Sequence, residues 1–237
     1  KGARRQVSAR SRYGVPTSGA LIDHVFVDGL EAGNTYTLEI EPTGSGEVTE
    51  RRQFSTMSDA NRVGNPLRVA LISCQNDRYV SDQADMWAAV AKSGPEIMIF
   101  NGDSCYVDQR SSGTVDGMWD RHVESRRMFD VFKWDCLVPI LTTWDDHDTG
   151  VNDSDSSNPF LRVARENFKA MFESDPVDGY TQSAGMSYTY DTNGMRFIML
   201  DGRSGKSSSA VFSKGEEAWL AQAISTSPGP TWLVNGI

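Results

Sequence analysis

Two short apolar runs, Arg68-Val69-Ala70-Leu71-Ile72 and Glu96-Ile97-Met98-Ile99-Phe100, bracket a stretch patterned for a helix. Ser81-Asp82 reads as its cap, and Met86, Trp87 and Val90 recur on one side. Gly94-Pro95 ends it, as a glycine just past a helix followed by proline usually does. A strand, a helix and a strand within roughly 30 residues make a β-α-β unit. Its strands are expected to be parallel neighbours with a right-handed crossover, so both release their last residues at the same sheet edge. That edge, where open α/β sheets bind ligands, receives Cys74 and Asp103.

The chain beyond Asp103 continues the pattern. Residues 115–134 carry Met118, Trp119, Val123, Met128, Phe129 and Phe132 at helical spacing, with His122 on or beside the stripe as a packed helix histidine. Cys136 reads as a small buried apolar residue. Residues 137–143 are expected to form a third parallel strand, which ends in Trp144-Asp145-Asp146-His147-Asp148. The polar loop at 149–159 holds Asp153 and Asp155 without the glycine and glutamate of an EF-hand, and reads as a solvated turn. A helix is expected over 160–172. Asp191-Thr192-Asn193-Gly194 then joins two hairpin strands, the second running into Asp201-Gly202-Arg203. An amphipathic helix over 213–224 and a strand starting at Thr231 follow. Four strand ends thus carry chemistry-bearing residues, expected at one edge of one sheet.

The first sixty residues read differently. Residues 1–20 are basic and without period, and are expected to form a loop. Tyr36, Leu38 and Ile40 alternate with Thr37, Glu39 and Glu41, the period of a half-buried strand. Strands are also expected around His24-Val25-Phe26-Val27 and over 48–54, with His24 a plain strand residue. Gly29-Leu30 followed by Tyr36 resembles the tyrosine corner of immunoglobulin-like and fibronectin type III sandwiches. The expected organisation is a partial β-sandwich with linker over 1–57 and an α/β domain over 67–237.

Composition narrows the partners. A net charge of −9 argues against nucleic acid or an anionic membrane surface as the main partner. An acidic protein that works on an anionic substrate must invert its local field, and bound cations are the usual way. No apolar run approaches membrane-spanning length, and the three cysteines make no disulfide framework. Crowded carboxylates repel unless cations share them. Carboxylate oxygens suit Ca²⁺ or Mg²⁺, whereas thiolate and phenolate favour a more polarising ion, so Cys74 and Tyr106 beside the aspartates suggest two unlike metals.

Ser73-Cys74-Gln75, Gly102-Asp103-Ser104-Cys105-Tyr106, Trp144-Asp145-Asp146-His147-Asp148 with Asn152, and Leu200-Asp201-Gly202-Arg203 together resemble the successive motifs of the PhoD family of alkaline phosphatases. That family belongs to the calcineurin-like metallophosphoesterases. The resemblance covers residues 67–237, and the β-rich start is similar to the immunoglobulin-like domain that precedes catalysis in the family. It implies an α/β sandwich in which Asp103 bridges two metals. Cys74 and Tyr106 would hold iron (Fe³⁺), and Asp146 would hold calcium (Ca²⁺). His147 would act on the leaving group or the transferring phosphoryl, and Arg203 would clamp phosphate oxygens. The implied substrates are phosphate mono- or diesters, cleaved by a metal-activated hydroxide, in an extracellular or periplasmic setting. A further histidine ligand of a Gly-Asp-x-His type motif has no counterpart after Asp201. Both ends read as cut, and residues 1–237 are expected to bind metals weakly or not at all and to turn over little. The competing expectation is a non-catalytic extracellular module holding structural calcium.

Overall fold

The computed structural model describes residues 5–15, 18–57, 66–109, 114–172 and 185–236. Strand β1 (Ala9–Tyr13) pairs antiparallel with β2 (Ile22–Val25). Residues 9–13, expected as loop, are thus strand, and the Arg12 guanidinium donates to both Asp23 carboxylate oxygens across the pair, at 2.6 and 2.7 Å. Strands β3 (Thr35–Ile40) and β4 (Glu50–Ser55) form the next antiparallel pair. Tyr36 Oη accepts a 2.8 Å bond from the Glu31 N–H, a tyrosine folding back on the chain just upstream.

The expected β-α-β unit is present. Strand β5 (Val69–Ile72) leads through helix α1 (Val80–Ser93) to β6 (Ile97–Asn101), and the strands are parallel with Val69 opposite Ile97. The start of α1 differs from expectation. A 3-10 turn at Asp77–Tyr79 runs straight into the helix, so Tyr79 occupies the cap and no side chain caps it. Trp87 is buried while Met86 is 37% exposed, so the inward stripe is narrower than the pattern implied. Gly94 closes α1 in the left-handed conformation, as its position predicted.

Helix α2 (Val115–Met128) stops earlier than expected, because Phe129 turns extended and a 3-10 turn (Asp130–Lys133) follows. The expected strand over 137–143 is two. Pro139 has no N–H to give a ladder and divides it into β7 (Cys136–Leu137) and β8 (Ile140–Thr143). β7 pairs in parallel with β4, while β8 joins β6, again in parallel. Cys136 is exposed rather than buried, since its two-residue strand is the edge of the β3-β4-β7 sheet.

Helix α3 (Leu161–Phe172) precedes the hairpin β9 (Tyr188–Thr192) and β10 (Met195–Leu200), turned at Asn193-Gly194 as expected. Helix α4 (Lys214–Ser225) and strand β11 (Thr231–Asn235), parallel to β10, complete the fold. β10 lies between β11 and β9 in a separate sheet. The fourth strand end therefore does not share the edge of β5, β6 and β8; it approaches the site from the facing sheet.

The faces of β6 explain the layering. Ile97 and Ile99 meet Phe197, Met199 and Val234 of the second sheet, whereas Met98 and Phe100 meet Trp87, Phe129 and Val131 on the other side. A strand buried on both faces reads as a continuous apolar run, which is what residues 97–100 are. The second sheet turns Ile198 and Leu200 outward to Trp219 and Ala223 of α4. The order is helix, sheet, sheet, helix. The N-terminal strands are attached to this body: Val15, Ala20 and Ile22 pack on Trp119, Val123, Ala170 and Met171, and His24 Nε2 meets the Ala170 carbonyl at 2.6 Å.

Candidate metal centre

Strand β6 is followed by Gly102, whose φ is +81°. A Cβ there would meet the Asp145 Cβ at 2.7 Å and the Gly236 Cα at 3.0 Å, so only glycine lets the loops after β6 and β8 approach. Asp103 follows at φ 51° and Cys74, at the end of β5, has φ 56°. Non-glycine residues in this region carry strain of about 1–3 kcal/mol each, and such strain gathers where a site must be held in shape.

Asp103, Asp146 and His147 offer ligand atoms that all lie within 4.8 Å of one another. Asp103 Oδ1 is buried and accepts no hydrogen bond among the described residues. Burial first, then the charges of Asp145 and Asp146 against the opposing His147, raise the Asp103 carboxyl to about 6. A buried carboxylate oxygen lacking a donor, beside a second carboxylate and an imidazole, fits a divalent or trivalent cation.

Asp146 is prepared differently. Burial works to raise its pKa, but the Asp153 N–H (2.5 Å to Oδ2), Arg203 and His147 outweigh it and leave the carboxyl below its usual value. Its Oδ1 also accepts from the His147 N–H at 2.9 Å. Tyr106 stacks on the His147 ring, with centroids 4.2 Å apart and planes at 30°, and its hydroxyl donates to Asp103 Oδ2 at 3.4 Å. Burial, then Asp103 and the Cys74 thiol, push the Tyr106 phenol above its ordinary pKa. Cys74 is exposed and reaches the cluster through that contact with Tyr106.

Arg203 is buried, and much of its fork is already engaged. Nε donates to Asp145 Oδ1 at 2.5 Å and Nη1 to the Ser154 carbonyl at 3.1 Å. Asp201, at the end of β10, accepts from Trp144 Nε1 (2.6 Å), from the Arg203 and Ser204 N–H groups, and from the Met186 N–H. It anchors the arginine-bearing turn rather than facing the cluster. Asp148 is wholly buried; burial drives its carboxyl well above the usual range, against the N–H bonds of Asp145 and Cys105 that it accepts. Asp153 and Asp155 lie in an exposed or half-buried turn, where Asp155 Oδ1 takes the Ser157 N–H and hydroxyl.

One partner had no signal in the pattern of residues. His147 Nδ1 lies 2.8 Å from Asp108 Oδ1, an ion-pair separation without hydrogen-bond alignment. Asp108 follows β6 in an irregular loop, where no periodicity says which side chain turns inward. His122 keeps its structural role: it is buried on α2, outside the cluster.

No protein-family model and no curated protein sequence matches the chain. Among solved structures it is similar to PhoD, with a TM-score of 0.64 and 17% identity over 90% of this chain and 49% of that one. It is also similar to purple acid phosphatase PPD1 from yellow lupin (Lupinus luteus) seeds, with a TM-score of 0.52 and 15% identity over 88% of this chain and 37% of that one. The chain spans about half the length of PhoD and less of the lupin enzyme. At these identities the likeness is one of architecture, and the chain shares a mixed α/β fold with PhoD and the lupin purple acid phosphatase.

Proposed function

We propose that the chain belongs to a PhoD-like, metal-dependent hydrolase of phosphate mono- or diesters. The observation that carries this is the grouping of Asp103, Asp146 and His147 within 4.8 Å, on strand ends of a metallophosphoesterase fold. Asp103 would bridge two ions, Cys74 and Tyr106 would complete the site of Fe³⁺, and Asp146 would serve Ca²⁺. Such ions, when bound, supply a hydroxide at neutral pH and offset the charge of the transferring phosphoryl.

This chain's own residues do the rest. His147, with Nδ1 facing Asp108 and its ring held against Tyr106, presents Nε2 for proton transfer to the leaving group. Arg203 adds positive charge toward the phosphate. With Nε and Nη1 engaged, it acts through the remaining edge of its fork. The N-terminal strands are, in this reading, part of an immunoglobulin-like module joined to an α/β domain over 67–237, in an extracellular or periplasmic protein.

An imidazole, His147, set beside the two carboxylates favours this reading over a calcium-only module, which needs oxygens alone. Calorimetric titration with Fe³⁺, Mn²⁺ and Ca²⁺ tests it first, followed by hydrolysis of a chromogenic phosphate ester. Asp103→Asn and Asp146→Asn should each weaken binding at least tenfold and remove turnover. Undiminished binding in both variants would defeat the assignment.

A further inference from the structure

Asp148 lies outside the cation cluster yet touches both loops that build it. Its Oδ1 accepts the Cys105 N–H at 2.8 Å, on the loop that follows Asp103. Its Oδ2 accepts the Asp145 N–H at 2.9 Å, immediately before Asp146. The side chain is completely buried, so water does not compete for either bond. Two flanking backbone bonds, Gly102 N–H to Thr143 O (3.0 Å) and Val107 N–H to His147 O (3.1 Å), join the same two loops on either side. Between them, among the described residues, the Asp148 carboxylate ties the segment after Asp103 to the segment before Asp146 through both of its oxygens.

We propose that Asp148 is a positioning residue that sets the separation of Asp103 and Asp146, and through it the affinity of the site for cations. The role rests on the metal-site reading above. Carboxylate is the required chemistry, because both partners are N–H donors. An amide of the same shape accepts one of them and turns its own NH₂ toward the other, leaving a buried donor facing a donor. Groups that orient metal ligands from behind typically change metal affinity 10–100-fold when altered.

The test is Asp148→Asn, with Mn²⁺ binding followed by electron paramagnetic resonance and amide exchange followed residue by residue. The expected result is a 10–100-fold weaker Mn²⁺ affinity, with Cys105 and Asp145 amides exchanging at least tenfold faster and those of β10 unchanged. A variant that merely melts at lower temperature, with Mn²⁺ affinity intact, overturns the proposal. Should the variant fail to fold, the wild-type chain decides. Its Cys105 and Asp145 amides must exchange at least tenfold more slowly than those of exposed Val151 and Asn152, and equal rates refute the brace. Absence of Mn²⁺ binding by the wild-type chain defeats the metal reading instead, and exchange alone then judges the brace.

Discussion

His122 shows how a single residue's chemistry follows from its surroundings. Burial on α2, with Arg121 and Arg126 nearby, lowers its pKa to about 3, so it is neutral in the folded protein. In the unfolded chain it titrates near 6.5. Between these values the unfolded state holds the extra proton, so stability present above pH 6.5 is lost as pH falls toward 3, by about 1.4 kcal/mol per pH unit. His122→Leu should remove that increment from the pH dependence of urea unfolding; an unaltered slope would show that another group dominates acid loss. The pentapeptide Trp144–Asp148 follows the same rule of environment. Each of its acidic residues has a different partner: Asp145 an arginine, Asp146 backbone N–H groups beside the cluster, and Asp148 two buried amides. Identical side chains thus become an ion-pair anchor, a candidate ligand and a brace.

Elements hold these residues in place, and their ends matter most. Helix α4 begins with a full capping box: the Ser213 hydroxyl accepts the Glu216 N–H, and the Glu216 carboxylate accepts the Ser213 N–H. Glu216 is buried, and burial together with Asp201 raises its carboxyl above the usual range. Gly205 packs so closely that a Cβ there would come within 2.5 Å of Glu216 Oε2. The cap therefore joins α4 to the turn that carries Arg203. Ser213→Ala should cost about 1–2 kcal/mol, seen as a melting temperature lowered by roughly 2–8 °C for a chain of this size. An unchanged melting temperature would mean that packing of Trp219 alone holds the helix start. The division of β7 from β8 at Pro139 is a boundary of another kind. One missing N–H sends two residues to the N-terminal sheet and the next four to the sheet of β5 and β6, beside the Asp103 cluster.

For the molecule as a whole, the two facing three-stranded sheets each expose apolar side chains on an edge strand. Leu71 on edge strand β5 is 64% exposed, and Trp232 and Leu233 on edge strand β11 are 54% and 55% exposed. β11 carries no charged side chain to discourage strand pairing along its edge. Residues 1–237 in isolation should therefore self-associate as concentration rises, and Leu233→Lys should reverse this. Light scattering after gel filtration reads both, and a wild-type chain that stays monomeric at high concentration would count against an open edge. No helix among the described residues is long and apolar enough to cross a membrane. What the sequence determined by itself was whatever neighbours along the chain encode. The both-faces-buried run at 97–100, the Asn193-Gly194 turn, the glycine stop of α1 and the acidic strand ends were all legible, because period, left-handed turns and caps act within a few residues. The tertiary structure alone decided which sheet each strand joins and what each carboxylate faces. Arg203 meets Asp145 across 58 positions, Trp144 meets Asp201 across 57, and Asp148 meets Cys105 across 43. Such contacts leave no periodic trace, since they depend on how buried loops are brought together and not on the residues beside them.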